Sequence, residues 1–328
     1  MSTWMALATT GITAVAAWSL PATFPAPSEA FSTASGFPVC RYALGGAARS
    51  QQPLSLPALY YDILASTNTE NNNNKFPNGA PFYFYYNPHR YPAFMSGIQE
   101  LCTVNDSERR RDIFIASGGT ERSTHDMEQR LNDALEKCGD EFLDLFILEY
   151  ICPYEMDSST DSLGTDLLEA MEQAKTWKDQ GLIRYIGAST HSHNVGRVLA
   201  DTDGIDTVML RYSMSHKDAA ENISFPACRR NDKPVLAFTT TRWNNLQDGH
   251  VEWDQDPPTS GECISFALAA QPPVEVVLHS ARDEEELMES LGGCRAMPMN
   301  EIASWRSYGA LSWNCDGFDE YPEEQKES

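Results

Sequence analysis

The segment DLFILEYICP, residues 144–153, reads as a core β-strand that ends on an acid. Leu145, Phe146, Ile147 and Leu148 form an unbroken apolar run, the pattern of a parallel strand covered on both faces. The run stops at Glu149. A carboxylate at the tip of a buried strand is costly unless it is paired or protonated, so its placement asks for a chemical reason.

The same rhythm extends to both sides. DIFIAS (112–117) precedes it as a strand, and STHDMEQRLNDALEKCG (123–139) lies between the two. That segment opens on a Ser/Thr cap, repeats apolar residues at helical spacing and stops on Gly139. TDLLEAMEQAKTWKDQG (165–181) is a second amphipathic helix with a glycine stop, and LIRYIGAS, IDTVMLRY, PVLAFTT and VEVVLHS are four further strands. FYFYY (82–86) and LPALYYDIL (56–64) bring the expected strand count to eight, and a last helix is expected over about 298–309. Regular strand–helix alternation implies parallel strands joined by right-handed crossovers, and eight such units make a (β/α)8 TIM barrel. The expected fold class is therefore α/β, a barrel over residues 41–310. Its first βα unit is irregular, because TNTENNNNKFPNGAP (67–81) has the composition of a loop. The acidic tail 311–328 is expected to lie outside the fold.

Lys and Arg number 24 against 47 Asp and Glu, a formal charge of −23, which argues against nucleic acid and anionic membrane surfaces as partners. The eight cysteines show neither a CxxC nor a zinc spacing, which suits reduced, mostly buried thiols. Residues 1–40 contain no Lys or Arg and one acid, Glu29. Within them MALATTGITAVAAW (5–18) has the length of a secretory h-region, too short to span a bilayer comfortably. SEAFSTASGF (28–37) follows, and the whole resembles the bipartite presequence of algae with secondary plastids, cleaved between Ala30 and Phe31 to expose a transit peptide. The implied location is the plastid, with no membrane insertion of the mature form; a secreted or ER route and a cytoplasmic protein with an inert leader are the alternatives. Residues 1–40 are set outside the barrel on this reading.

Active groups of such barrels stand at the C-terminal ends of the strands. Glu149 is at such an end, as are His89 and Tyr91 after the second strand, Ser189 and His191 after the fifth, Arg211 after the sixth, Arg242 after the seventh and His279 after the eighth. DIFIASGG, RLNDALEKCGDEFLDLFILEY and AKTWKDQGLIRYIGAST, in that order, resemble the aldo-keto reductase superfamily. The resemblance implies an oxidoreductase that binds NADP(H) across the barrel mouth and reduces a small carbonyl or activated alkene. It also implies a Tyr–His–Lys–Asp tetrad, which this sequence keeps incompletely: the histidine position falls on Glu149, the lysine on Gly118, the aspartate on Phe84, and the tyrosine on His89 with Tyr91 close by. Glu149 stands where the family's double-bond reductases place a glutamate, and a carboxylic acid kept neutral by burial can hydrogen-bond a developing enolate. The candidate catalytic residues are thus Glu149, Tyr91 and His89.

The same resemblance assigns the cofactor to Ser189 and Thr190 at the nicotinamide carboxamide, Phe238 stacked on the ring, and Ser280 and Arg282 at the adenosine phosphate; Met209 stands where the family has a glutamine. Two other readings remain open. One is a non-catalytic barrel that binds a ligand or protein partner through its mouth. The other is a metal-dependent hydrolase, drawn from the His-x-His pair 191–193 with His216, Glu149 and His279.

Overall fold

The computed structural model describes residues 20–46, 52–65, 75–85, 91–103, 107–139, 142–157, 159–270 and 274–312. Eight parallel strands close into a barrel: β1 Val39–Gly45, β2 Ala80–Tyr85, β3 Phe114–Gly119, β4 Leu143–Leu148, β5 Ile183–Thr190, β6 Thr207–Arg211, β7 Val235–Phe238 and β8 Val274–His279. They follow one another round the barrel in chain order, with β8 pairing β1. The helices around them are α1 Leu56–Leu64, α2 Pro92–Thr103, α3 Ser107–Asp112, α4 Thr124–Lys137, α5 Thr165–Asp179, α6 His193–Asp201, α7 Phe225–Arg230, α8 Ser260–Ala269, α9 Glu284–Gly293 and α10 Met299–Ser312. A two-stranded hairpin, Met156–Asp157 with Ser162–Leu163, decorates the loop after β4. No helix among the described residues is long and apolar enough to cross a membrane.

The expected barrel is present, and its first stave is corrected. LPALYYDIL is a helix: Leu56, Tyr60, Tyr61 and Leu64 bury one helical face, and Pro57 occupies the first turn, where its missing N–H costs nothing. The hydroxyl of Tyr60 donates to the Tyr42 carbonyl and that of Tyr83 to Pro57 O, fastening α1 to the barrel wall. The first strand is instead VCRYALG, whose Arg41 hides a strand pattern by lying between apolar neighbours. Its guanidinium is spent on the carbonyls of Glu275 and Val274.

The expected boundary after residue 40 accordingly falls inside β1, and the chain before it is packed. Phe31 inserts its ring edge-on among Phe82, Phe114 and Tyr185, with centroids 6.4, 5.7 and 5.5 Å away, and closes the N-terminal end of the barrel. Beside it Asp144, wholly buried, takes Arg110 at 2.9 Å and Arg184 at 2.6 Å, while Arg184 also donates to Ser32 O. The first nineteen residues, most of the asparagine-rich segment, His89 and the tail from 313 lie outside the described residues. The seven described cysteines are free thiols, six of them buried.

Strand alternation positions the site. Phe82, Phe114, Ile147, Met209, Leu236 and Leu278 fill the barrel interior. Two residues further along each stave, on the same face, come Phe84, Ala116, Glu149, Arg211, Phe238 and Ser280.

Candidate active site

Glu149 continues the inward parity of Ile147 immediately past β4 and is 5% exposed. Burial pushes its carboxyl well above the usual carboxylate range; Arg130 and Arg122 pull it back, and Glu121 adds to the rise. Its Oε1 has no hydrogen-bond partner among the described residues. The neighbouring charges are already committed to each other, Arg130 to Glu121 at 2.6 Å and Arg122 to Glu155 at 2.7 Å. Arg122 donates as well to the Glu149 carbonyl at 2.7 Å, which fixes the backbone that carries the acid. The result is a carboxyl whose protonated form is favoured by burial, held near the barrel mouth. Glu121, Arg122 and Arg130 were not singled out from the sequence, although all three follow shortly after the C-terminal end of β3, where barrel chemistry collects.

Around the acid the tetrad positions have changed for structural reasons. A Cβ at Gly118 would run into the Ile147 carbonyl, so no lysine can stand there. Phe84 packs on the interior cluster in place of an acid. Tyr91 lies half-buried with its ring against Gly46, just past β1 and three staves round the barrel from Glu149.

The residues expected at a nicotinamide divide. Ser189 is buried on the inner face of β5, and its Oγ accepts from Tyr150 N at 2.8 Å, leaving the hydroxyl proton available to a ligand. Thr190 is wholly buried, and its Oγ1 donates to Ile151 O at 2.7 Å and accepts from Ser192 N, which ties β5 to the β4 loop. Phe238 is half-buried at the mouth with its ring 5.3 Å from that of His191, which in turn packs on Tyr150 at 4.6 Å.

The expected phosphate end is built but occupied by the chain's own acids. Arg282 N and Nε both donate to Glu286 Oε2, at 2.7 and 2.9 Å, and Glu286 N donates to Asp283 Oδ1. Ser280 Oγ donates to Gly46 O, and Arg282 is exposed.

His191, His193 and His216 gather around Arg211, and His279 stands apart from them. His279 faces the helical layer, packed on Tyr42, rather than the mouth. His193 Nδ1 meets Ser224 Oγ at 3.0 Å and His216 Nδ1 meets Ser213 Oγ at 3.3 Å. Burial and then Arg211 drive His191 and His193 to about 4 and His216 to about 3; burial takes His279 to about 4. Among the described residues no three His, Cys, Asp or Glu side chains are arranged to hold a metal ion.

Comparison with known proteins places this geometry. The sequence model of the aldo/keto reductase family matches residues 93–258, just over half of the chain. Among solved structures, a thermostable aldo-keto reductase in complex with the inhibitor epalrestat superposes with a TM-score of 0.56 at 16% identity, covering 82% of this chain and 95% of that one. An aldo-keto reductase from Bacillus halodurans in its holo form superposes with a TM-score of 0.51 at 17% identity, covering 65% of this chain and 76% of the other. At such identities the likeness is one of fold. No curated protein matches the sequence significantly. The closed barrel, the acid at the end of its fourth stave and the family match agree: the chain belongs to the aldo/keto reductase family.

Proposed function

We propose that this protein is a nicotinamide-dinucleotide-linked reductase of activated alkenes or small carbonyls, with Glu149 as the acid that assists. Membership of the family supports NAD(P)-type oxidoreductase chemistry in general; the observation that carries the finer reading is the buried Glu149 carboxyl, whose protonated form burial favours, with Oε1 unengaged at the mouth.

The residues present fit one end of the dinucleotide. The Ser189 hydroxyl can donate to the carboxamide and Phe238 can cover the ring, and a bound nicotinamide supplies a hydride. The other end does not fit a 2′-phosphate, because Arg282 N and Nε donate to Glu286, Glu286 N donates to Asp283, and two further acids of the first turn, Glu284 and Glu285, repel it. The family resemblance implies NADP(H); the proposed cofactor is the form without that phosphate.

On this reading Glu149 donates a hydrogen bond to the substrate oxygen as negative charge builds there, and its low-dielectric setting strengthens the bond. The Arg122 bond to its carbonyl keeps it aimed. The loss of a lysine at Gly118 and of an acid at Phe84 removes the usual means of lowering a tyrosine pKa, which favours the carboxylic acid over Tyr91 as donor.

Titration of the full chain with NADH and NADPH against intrinsic tryptophan fluorescence tests the reading. Saturable quenching by NADH is expected, with NADPH weaker by about tenfold for one unfavourable phosphate contact. Glu149→Gln, which keeps the shape and gives no proton, is expected to lower kcat on enones by roughly 10²-fold. No binding of either dinucleotide at millimolar concentration rejects the reductase and leaves a ligand-binding barrel. We further propose that the leader directs the chain to a plastid; cleavage between Ala30 and Phe31 would keep the Phe31 ring and give up Phe24 and Ser28, and the N-terminal mass of the native protein tests it.

A further inference from the structure

Arg211 and Arg242 belong to neighbouring staves, and both are buried, at 4% and 2% exposure. Arg211 ends β6 on the inward parity of Met209 and stands in register with Phe238 of β7. Arg242 follows four residues beyond Phe238, in a loop where Thr239, Arg242, Trp243 and Asn244 all take positive φ (56°, 53°, 53° and 71°). Side chains other than glycine hold that backbone region at a cost, which concentrates where function fixes geometry. The loop bends back over β6, so that the Trp243 ring lies 5.4 Å from the Arg211 guanidinium while remaining 57% exposed. Thr240, 2% exposed, brings to the same loop a hydroxyl with no hydrogen-bond partner among the described residues.

Three imidazoles lie around this pair. Its imidazole neighbours His191, His193 and His216 are pressed below neutrality by burial and by Arg211, His216 also by Arg242, and carry no charge near pH 7. A guanidinium cannot relieve its own burial by losing a proton. In a chain of net charge −23, two such groups at the one face where the strands present chemistry are a local reversal of the overall field.

We propose that Arg211 and Arg242 form an anion subsite at the barrel mouth that seats the oxyanion group, carboxylate or phosphate, of an anionic substrate. Guanidinium forks match both groups in bidentate geometry, and Trp243 covers the seat from solvent. This deepens the reductase reading of the same mouth and rests on it: the substrates are carbonyl or enone compounds that carry a negative charge at one end and are reduced at the other.

The test compares paired substrates. In the wild type kcat/KM for 4-carboxybenzaldehyde is expected to exceed that for benzaldehyde by about tenfold or more, and the ratio to fall toward one in Arg211→Met and in Arg242→Met. Glyceraldehyde 3-phosphate against glyceraldehyde separates phosphate from carboxylate. Arg211→Lys keeps the charge and loses the fork; an intermediate ratio is expected, and it carries the test if the methionine variants do not fold. A wild-type ratio near one for both pairs, ratios unmoved by both variants, or dinucleotide binding weakened as much as substrate affinity each overturns the subsite. Binding of oxalate and inorganic phosphate, read by tryptophan fluorescence, is independent of turnover. Saturable binding lost in Arg211→Met without any reduction of aldehydes or enones keeps the subsite and rejects the reductase; reduction without anion binding does the reverse.

Discussion

The two ends of this barrel spend their buried charges in opposite ways. At the N-terminal end Asp144 accepts from Arg110, Arg184 and the Ile115 N–H, and Phe31 seals what remains. At the C-terminal end Glu149 is buried with Oε1 unengaged, Arg242 is buried, and Arg211 lies against an exposed tryptophan. Backbone strain follows the same division: of the seven described non-glycine residues with positive φ, all but Asp232 lie in loops that leave the C-terminal ends of strands. One end is arranged for stability and the other holds groups in costly states, as expected where a site must stay ready to bind.

Stability measurements can break that contrast. Asp144→Ala leaves Arg110, 2% exposed, without its carboxylate and is expected to cost ~3–5 kcal/mol in urea unfolding, because an uncompensated buried charge remains. A loss under 1 kcal/mol would mean that the closed end is not where stability resides. Acid acts through a different set of groups. Histidines 191, 193, 216 and 279 have folded pKa values of about 4, 4, 3 and 4, below the unfolded value, so the unfolded chain takes up protons first as pH falls. Their contribution is complete above about pH 6.5 and is lost on descent toward 4, and a Tm decrease of ~5 °C or more across that window is expected by calorimetry. The smallest change belongs to Glu149→Gln. A buried carboxyl whose protonated form burial favours is replaced by an amide of the same shape, and unfolding free energy should move by less than ~1 kcal/mol even as turnover falls. Unfolding as severe as that of Asp144→Ala would make Glu149 a structural residue.

The sequence disclosed the barrel through seven staves whose apolar runs are continuous. It misled at the first, where Arg41 interrupts the run of β1 and the tyrosines of α1 imitate strand composition while burying a helical face. The side on which a residue faces was the harder matter. His279 and Thr190 stand at strand ends yet turn into the wall, one against Tyr42 and the other onto Ile151 O, because parity at a strand tip depends on where the ladder stops. The Arg110–Asp144–Arg184 group spans 34 and 40 positions in sequence and carries no local signature. Glu149 was legible because an acid interrupting an apolar run is conspicuous wherever the chain goes next.

Ser28 donates to Glu275 across 247 positions, and Arg184 reaches back 152 positions to Ser32. The segment that precedes the first stave is thus anchored on staves made much later. Such distant pairings are slow to form, since loop closure must precede their reward. A nascent chain of this protein cannot make the Ser28–Glu275 bond until β8 has left the ribosome, whereas the ring partners of Phe31 are complete once β5 has emerged.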